Sequence, residues 1–151
     1  MLMNMDFVLL AEIPFDSDRK MMTTLDRVER NGEIKNISYT KGAIDSVIVR
    51  CDRILDEDGI REITNEDVVR ATQSADIMSS DALRVLALAY REGDTVPQEK
   101  DMIFVGLGAM IDPPKEGVRE TVDECHHAGI DVAMITGDHK ITAFAIAKEL
   151  D

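Results

Sequence analysis

Apolar and polar residues fall into short strand-like runs over the first forty residues. Asp6 to Ile13 is one such run and is expected to end at Pro14, because proline lacks a backbone donor. After residues 15–19, Lys20 to Glu29 and Glu33 to Thr40 read as a strand and its returning partner. Asn31-Gly32 lies between them, and both residues tolerate the positive φ of a two-residue hairpin turn. Gly42 is expected to break the third strand. Ala43 to Cys51 then places Ile44, Val47 and Ile48 on one side of a short helix. A loop or short strand pair is centred on Asp58-Gly59. Thr64, with Asp67 three residues on, is an N-cap signal for a helix from Asn65 to the region of Met78, polar enough to lie on the outside. Leu83 to Tyr90 is an apolar run, Arg91 to Lys100 a polar loop containing Pro97, and Met102 to Met110 the next strand.

The pattern changes after Pro114. Asp112-Pro113-Pro114 can neither continue a strand nor enter a helix, since two donors are lost and Asp112 is biased to extended backbone; a hinge or domain edge fits, although Asp112 has the alternative of a simple turn residue. Gly117 to Ala128 carries Val118, Val122 and Cys125 on one helical face, closed by Gly129. Ile130 to Ile135 reads as a buried strand. Thr136-Gly137-Asp138 then sits where that strand gives way to a helix, a position at which α/β proteins bind anions. The expected fold is α+β: an antiparallel sheet with flanking helices over residues 1–110, followed by a short α/β segment over 111–151.

The chain has 151 residues, 44% hydrophobic and 31% charged, enough for one ordinary domain or one domain and part of another. No apolar run approaches the length of a membrane span, and no basic-then-apolar leader opens the chain. The formal net charge is −13, from 30 acidic and 17 basic residues, so general attraction to nucleic acid or anionic lipid is disfavoured and any polyanion must be held locally. Cys51 and Cys125 are far apart and lack a CxxC neighbour, so both read as reduced packing residues. His126, His127 and His139 show no metal-ligand spacing.

Against this acidic background a few residues could meet an anionic ligand. Lys41-Gly42 offers an ammonium beside backbone that a ligand can approach closely; the alternative is a solvated charge before a helix. Phe15, flanked by Arg19 and Lys20, could stack on a nucleobase while the cations meet phosphate, or simply plug a core. Arg84 could contact phosphate or ribose, or form an ion pair with Asp81 or Glu92. Thr136, Gly137 and Asp138 combine a hydroxyl, bare backbone and a carboxylate suited to phosphate or Mg²⁺, with helix capping as the alternative for Asp138.

Taken together, Pro14-Phe15-Asp16-Ser17-Asp18-Arg19-Lys20, Tyr39-Thr40-Lys41-Gly42-Ala43, Arg84-Val85-Leu86-Ala87-Leu88-Ala89, Asp112-Pro113-Pro114-Lys115 and Met134 to His139 resemble, in this order, the cytoplasmic part of P-type cation-transporting ATPases of the calcium-pump-like branch. The resemblance covers nearly the whole chain. It implies a nucleotide-binding domain followed by the start of the second part of a haloacid-dehalogenase-like phosphorylation domain. It gives Phe15 to adenine stacking, Lys20 and Lys41 to electrostatic contact, Gly42 to the ATP pocket, Arg84 to phosphate or ribose, and Thr136, Gly137 and Asp138 to the phosphate end. Asp112, Pro113 and Pro114 become the return crossing between domains. Ser17 departs from calcium pumps, which often carry an ATP-contacting Arg there, so one cationic contact is missing.

The sequence also contains no Asp-Lys-Thr-Gly-Thr, so the phosphorylatable Asp is absent and no catalytic residue is expected in this fragment. The implied role is to deliver ATP, with Mg²⁺ in the intact pump, to an Asp on a neighbouring domain. The implied partners are the phosphorylation, actuator and membrane domains of the same pump, and the implied location is the cytoplasmic side of an integral membrane protein. Two other readings stay open. One is an acidic interaction or regulatory module without nucleotide; the other is a fragment of a haloacid-dehalogenase-like phosphatase, which lacks the Asp-x-Asp motif it needs.

Overall fold

The computed structural model describes residues 6–30, 32–80, 83–110 and 115–135, together with 144, 146–148 and 150. These include seven strands in one sheet: β1 Asp6–Asp16, β2 Met21–Arg30, β3 Glu33–Gly42, β4 Cys51–Asp56, β5 Gly59–Glu62, β6 Arg84–Glu92 and β7 Met102–Met110, in the order β1-β2-β3-β6-β7-β4-β5. The helices are α1 Ile44–Val47, continued by a 3-10 turn Ile48–Arg50, then α2 Asn65–Ser80 and α3 Val118–His127. The class is α+β. The chain divides into two compact units, residues 1–75 with 85–108 and residues 76–84 with 109–151.

In the first unit the hairpin logic holds. Arg30 pairs with Glu33 across a two-residue connection, and Gly32 has φ of +80°; Asn31 lies outside the described residues. Met21, Thr23 and Leu25 alternate to the buried side of β2, facing Gly42, Thr40 and Ser38 of β3. Gly42, Thr40 and Ser38 in turn face Ala87, Ala89 and Arg91 of β6. The core gathers Met21, Val47, Ile48, Ile54, Ala87, Ala89, Met102 and Phe104, with Val68 and Ala71 of α2 packed on it. The cap of α2 is the one the sequence indicates. The Thr64 hydroxyl accepts from the Asp67 N–H at 3.3 Å, while the Asp67 carboxylate accepts from the Thr64 N–H at 3.0 Å.

Several expectations are corrected. β1 does not end at Pro14 but runs on to Asp16. It is an edge strand, where a missing donor is tolerated, and its register is irregular between Ile13 and Asp16. Gly42 does not break β3; it is its last residue, paired with Met21 and Ala87. The helix expected through Cys51 stops at Arg50, and Cys51 opens β4. The sheet is mixed rather than antiparallel, because β4 and β7 pair in parallel, Ile54 opposite Phe104. Local patterns cannot show a pairing between segments so far apart in the chain.

In the second unit, α3 presents Val118, Val122 and Cys125 as its only partly covered residues, the apolar face read from the sequence. Gly129 has φ of +74°; its N–H donates to the His126 carbonyl, and the Ile130 N–H donates to the Cys125 carbonyl. This is a Schellman ending, for which glycine at C′ is favoured. Ile130 to Ile135 is neither a strand nor buried: Ile130 is 56% and Ile135 96% exposed. An apolar run becomes a strand only when a neighbour satisfies its backbone groups, and no described strand pairs with it. Both cysteines are free thiols.

Candidate functional site

The connection between β1 and β2, residues 17–20, is built by Asp16. Its carboxylate accepts the backbone N–H groups of Asp18 and Arg19, each at 3.0 Å, and its carbonyl accepts the Lys20 N–H at 2.7 Å. The N–H of Arg19, then that of Asp18, holds the Asp16 carboxyl below the usual carboxylate range. Lys20 takes φ of +53°, uncommon for a non-glycine residue. Its carbonyl accepts the Ala43 N–H at 2.9 Å, which ties the turn to the end of β3.

Gly42 is what allows that approach. A Cβ there would run into the Met21 Cβ and lie 2.5 Å from the Lys20 carbonyl oxygen and 2.7 Å from the Met21 Cα. The open side of this glycine is therefore filled by the protein's own backbone. Its requirement for glycine comes from packing, which composition alone could not separate from close approach of a ligand.

This geometry brings Phe15, Ser17, Lys20, Lys41 and Gly42 to one end of the β1-β2-β3 array. Phe15 is 64% exposed, so it does not plug the core. Lys41 is exposed, opposite Met22 on β2 and Leu88 on β6, and no described carboxylate pairs with it. Lys20 reaches Asp45 at 3.5 Å, both side chains more than half exposed; such a pair contributes little and is readily exchanged. Ser17 is exposed in the turn. The Arg19 cation, in contrast, is engaged: it donates to both carboxylate oxygens of Glu99, at 2.5 and 2.7 Å, and to the Pro14 carbonyl at 2.7 Å. It is not a free cation beside Phe15. An exposed ring and two available ammonium groups suit a ligand that is an aromatic heterocycle at one end and an anion at the other.

Arg84 opens β6 and is exposed. The ion pair with Glu92 is not formed: the two residues stand at opposite ends of β6, and Glu92 meets Lys35 at 3.2 Å; Asp81, the other expected partner, lies outside the described residues. Asp112, Pro113, Pro114, Thr136, Gly137 and Asp138 lie outside the described residues. Among the described residues no group of three or more His, Cys, Asp or Glu side chains is arranged to hold a metal. Nor, among them, is any helix long and apolar enough to cross a membrane.

Two carboxylates escaped the reading of residues 91–100 as a plain polar loop. Asp94, 6% exposed, accepts the Ser38 hydroxyl at 2.7 Å and pairs with Arg91 at 3.1 Å. Glu99 accepts the Thr23 hydroxyl at 3.0 Å besides binding Arg19. Their partners Thr23 on β2 and Ser38 on β3 lie 76 and 56 residues away in the chain, so no local spacing marks them.

A mixed α+β domain that gathers an exposed aromatic ring and lysines at one sheet end has the character of a nucleotide-binding-type domain. The model of the cytoplasmic domain N of P-type ATPases matches residues 2–117, and the chain belongs to that family. It is similar to calcium-transporting ATPase 1 of Bacillus cereus, 46% identical over 146 residues, and to calcium-transporting ATPase 1 of Lactococcus lactis, 42% identical over 147 residues. A probable cation-transporting ATPase F of Mycobacterium tuberculosis is 38% identical over 149 residues. Each match covers 93% of this chain but 16% of the relative's length.

Proposed function

We propose that the chain binds ATP as the nucleotide-binding part of a cation-transporting, calcium-type P-type ATPase and delivers it to an acceptor Asp on a neighbouring domain. In this reading Phe15 stacks on adenine, while Lys20 and Lys41 offset phosphate charge, with Ser17 in the turn and Gly42 bringing the Lys20 backbone against β3. The observation that carries it is the convergence, at one end of β1-β2-β3, of an exposed Phe15 with an exposed Lys41 that no described carboxylate pairs. Arg84 on phosphate or ribose, and Thr136, Gly137 and Asp138 at the phosphate end, are further assignments of the same reading. So are residues 1–110 as the nucleotide-binding part, residues 111–151 as part of a phosphorylation domain, and Asp112, Pro113 and Pro114 as the crossing between them. Mg²⁺, when bound with ATP in the full pump, supplies charge neutralisation at the transferred phosphoryl group.

The chain's own residues only bind and orient: the ring fixes the base, and the ammonium groups set where the phosphates lie. Calorimetry with ATP tests this. Base stacking on an aromatic side chain is worth about 1–3 kcal/mol, so Phe15→Ala should weaken ATP roughly 5- to 150-fold. Lys41→Ala, which removes one exposed charge, should weaken it by up to about fivefold. Unchanged affinity in both variants refutes the site. Incubated with labelled ATP, the chain should form no acid-stable phosphoenzyme, because its sequence holds no Asp-Lys-Thr-Gly-Thr.

A further inference from the structure

We infer that Glu99 is a positioning residue for Phe15, acting through Arg19; this rests on the reading that Phe15 stacks on the base. The irregular register between Ile13 and Asp16 leaves Pro14 and Phe15 without paired positions on β2. The backbone that carries the ring therefore needs another support. Arg19 supplies it: one guanidinium nitrogen, Nη2, donates to the Pro14 carbonyl at 2.7 Å, directly before Phe15. The other, Nη1, is held by both oxygens of Glu99, at 2.5 and 2.7 Å.

Glu99 is itself fixed. Its side chain is 15% exposed, and its Oε1 accepts the hydroxyl of Thr23 at 3.0 Å. The Thr23 hydroxyl lies 2.8 Å from that of Thr40, and both threonines are buried. The path Thr40, Thr23, Glu99, Arg19, Pro14 is thus a polar strut from the interior of β3, one residue from Lys41, to the backbone at Phe15. A partly buried charged pair with satisfied hydrogen bonds holds one geometry more firmly than a solvent-exposed pair. Since Phe15 is itself mostly exposed, its own packing cannot fix the ring. The connection between β6 and β7 thereby sets where a base can stack.

The test is a double-mutant cycle on ATP and AMP binding by calorimetry, with Phe15→Ala, Glu99→Gln and both together, and Arg19→Lys as a second way to break the strut. Dispersed amide NMR spectra establish that each variant is folded. Glu99→Gln and Arg19→Lys should each weaken ATP and AMP by the same factor, about three- to tenfold, part of the loss from removing the ring. They should also shift the Phe15 ring resonances in the free protein. In the Phe15→Ala background Glu99→Gln should cause no further loss, whereas a merely structural role gives the same loss in both backgrounds. Additive losses, or full affinity in folded Glu99→Gln and Arg19→Lys while Phe15→Ala weakens binding, overturn the positioning role and leave base stacking intact. Unchanged affinity in Phe15→Ala overturns base stacking and this inference with it.

Discussion

Replacing Gly42 by Ala should destabilise the first unit far more than a single methyl group usually does. The added Cβ overlaps the Met21 Cβ and lies 2.5 Å from the Lys20 carbonyl oxygen and 2.7 Å from the Met21 Cα. These are backbone and near-backbone atoms rather than the free end of a flexible side chain. Relief requires β2 and β3 to separate or the turn at Lys20 to shift, which also strains the Lys20 carbonyl to Ala43 N–H bond. Overpacking a well-packed site costs about 1–3 kcal/mol, and the upper end applies where backbone must move. For a chain of this size a loss of about 3 kcal/mol lowers Tm by roughly 6–12 °C. Gly108→Ala is the matched control: it lies in β7, and its Cβ would meet only the Leu88 Cδ1, at 3.8 Å. It should change stability by less than about 0.5 kcal/mol. Urea titration followed by circular dichroism, with a thermal scan, measures both variants. Equal stability of Gly42→Ala and Gly108→Ala would refute the close-approach explanation and reopen ligand contact as the reason for glycine at 42.

Asp67 gives a pH prediction. It accepts from Arg61 at 2.7 and 3.0 Å, from the Thr64 hydroxyl and from Arg70, each at 2.7 Å, and the Arg61 hydrogen bonds, followed by those of Thr64, hold its carboxyl well below the usual range. A folded-state pKa below the unfolded value gives stability that is present above the unfolded pKa, about 3.9, and lost as pH falls through the folded one. Asp67→Asn should therefore be clearly less stable than wild type at pH 7, with the gap closing below about pH 4; a gap of constant size from pH 7 to 2 would contradict it. Cys51 should resist alkylation at neutral pH, because burial, then the Asp52 charge, pushes its thiol up to about 12; labelling with iodoacetamide as fast as an unfolded control would count against this.

How far the fold could be read depended on how local its causes are. Asn31-Gly32, Thr64 with Asp67, and Gly129 each act within a few residues, and the structure has the hairpin, the helix cap and the helix end that they imply. The meeting of Phe15, Lys20 and Lys41 at one sheet end follows from the same hairpins, since Asp16 pairs with Met21 and Met22 with Lys41. Causes that act over distance were not legible. Nothing near Cys51 or Met102 announces that β4 and β7 run in parallel. Thr23, Ser38 and Thr40 are polar strand residues, yet all three are buried: Glu99 and Asp94, from the connection between β6 and β7, accept the hydroxyls of Thr23 and Ser38, and the Thr40 hydroxyl meets that of Thr23. Ile130 to Ile135 shows the converse: an apolar pattern specifies a strand only with a partner to complete the ladder. Gly42 shows a further limit, since glycine in a sequence does not say which neighbour needs the space.

The most direct test of the proposed site is an NMR titration of the chain with ATP and, separately, with AMP. ATP should move the signals of Phe15, Lys20 and Lys41 together, and AMP should reproduce the change at Phe15 while moving the two lysines less. Saturation with no shift at Phe15 or Lys41, or shifts scattered without relation to the end of β1-β2-β3, would contradict it.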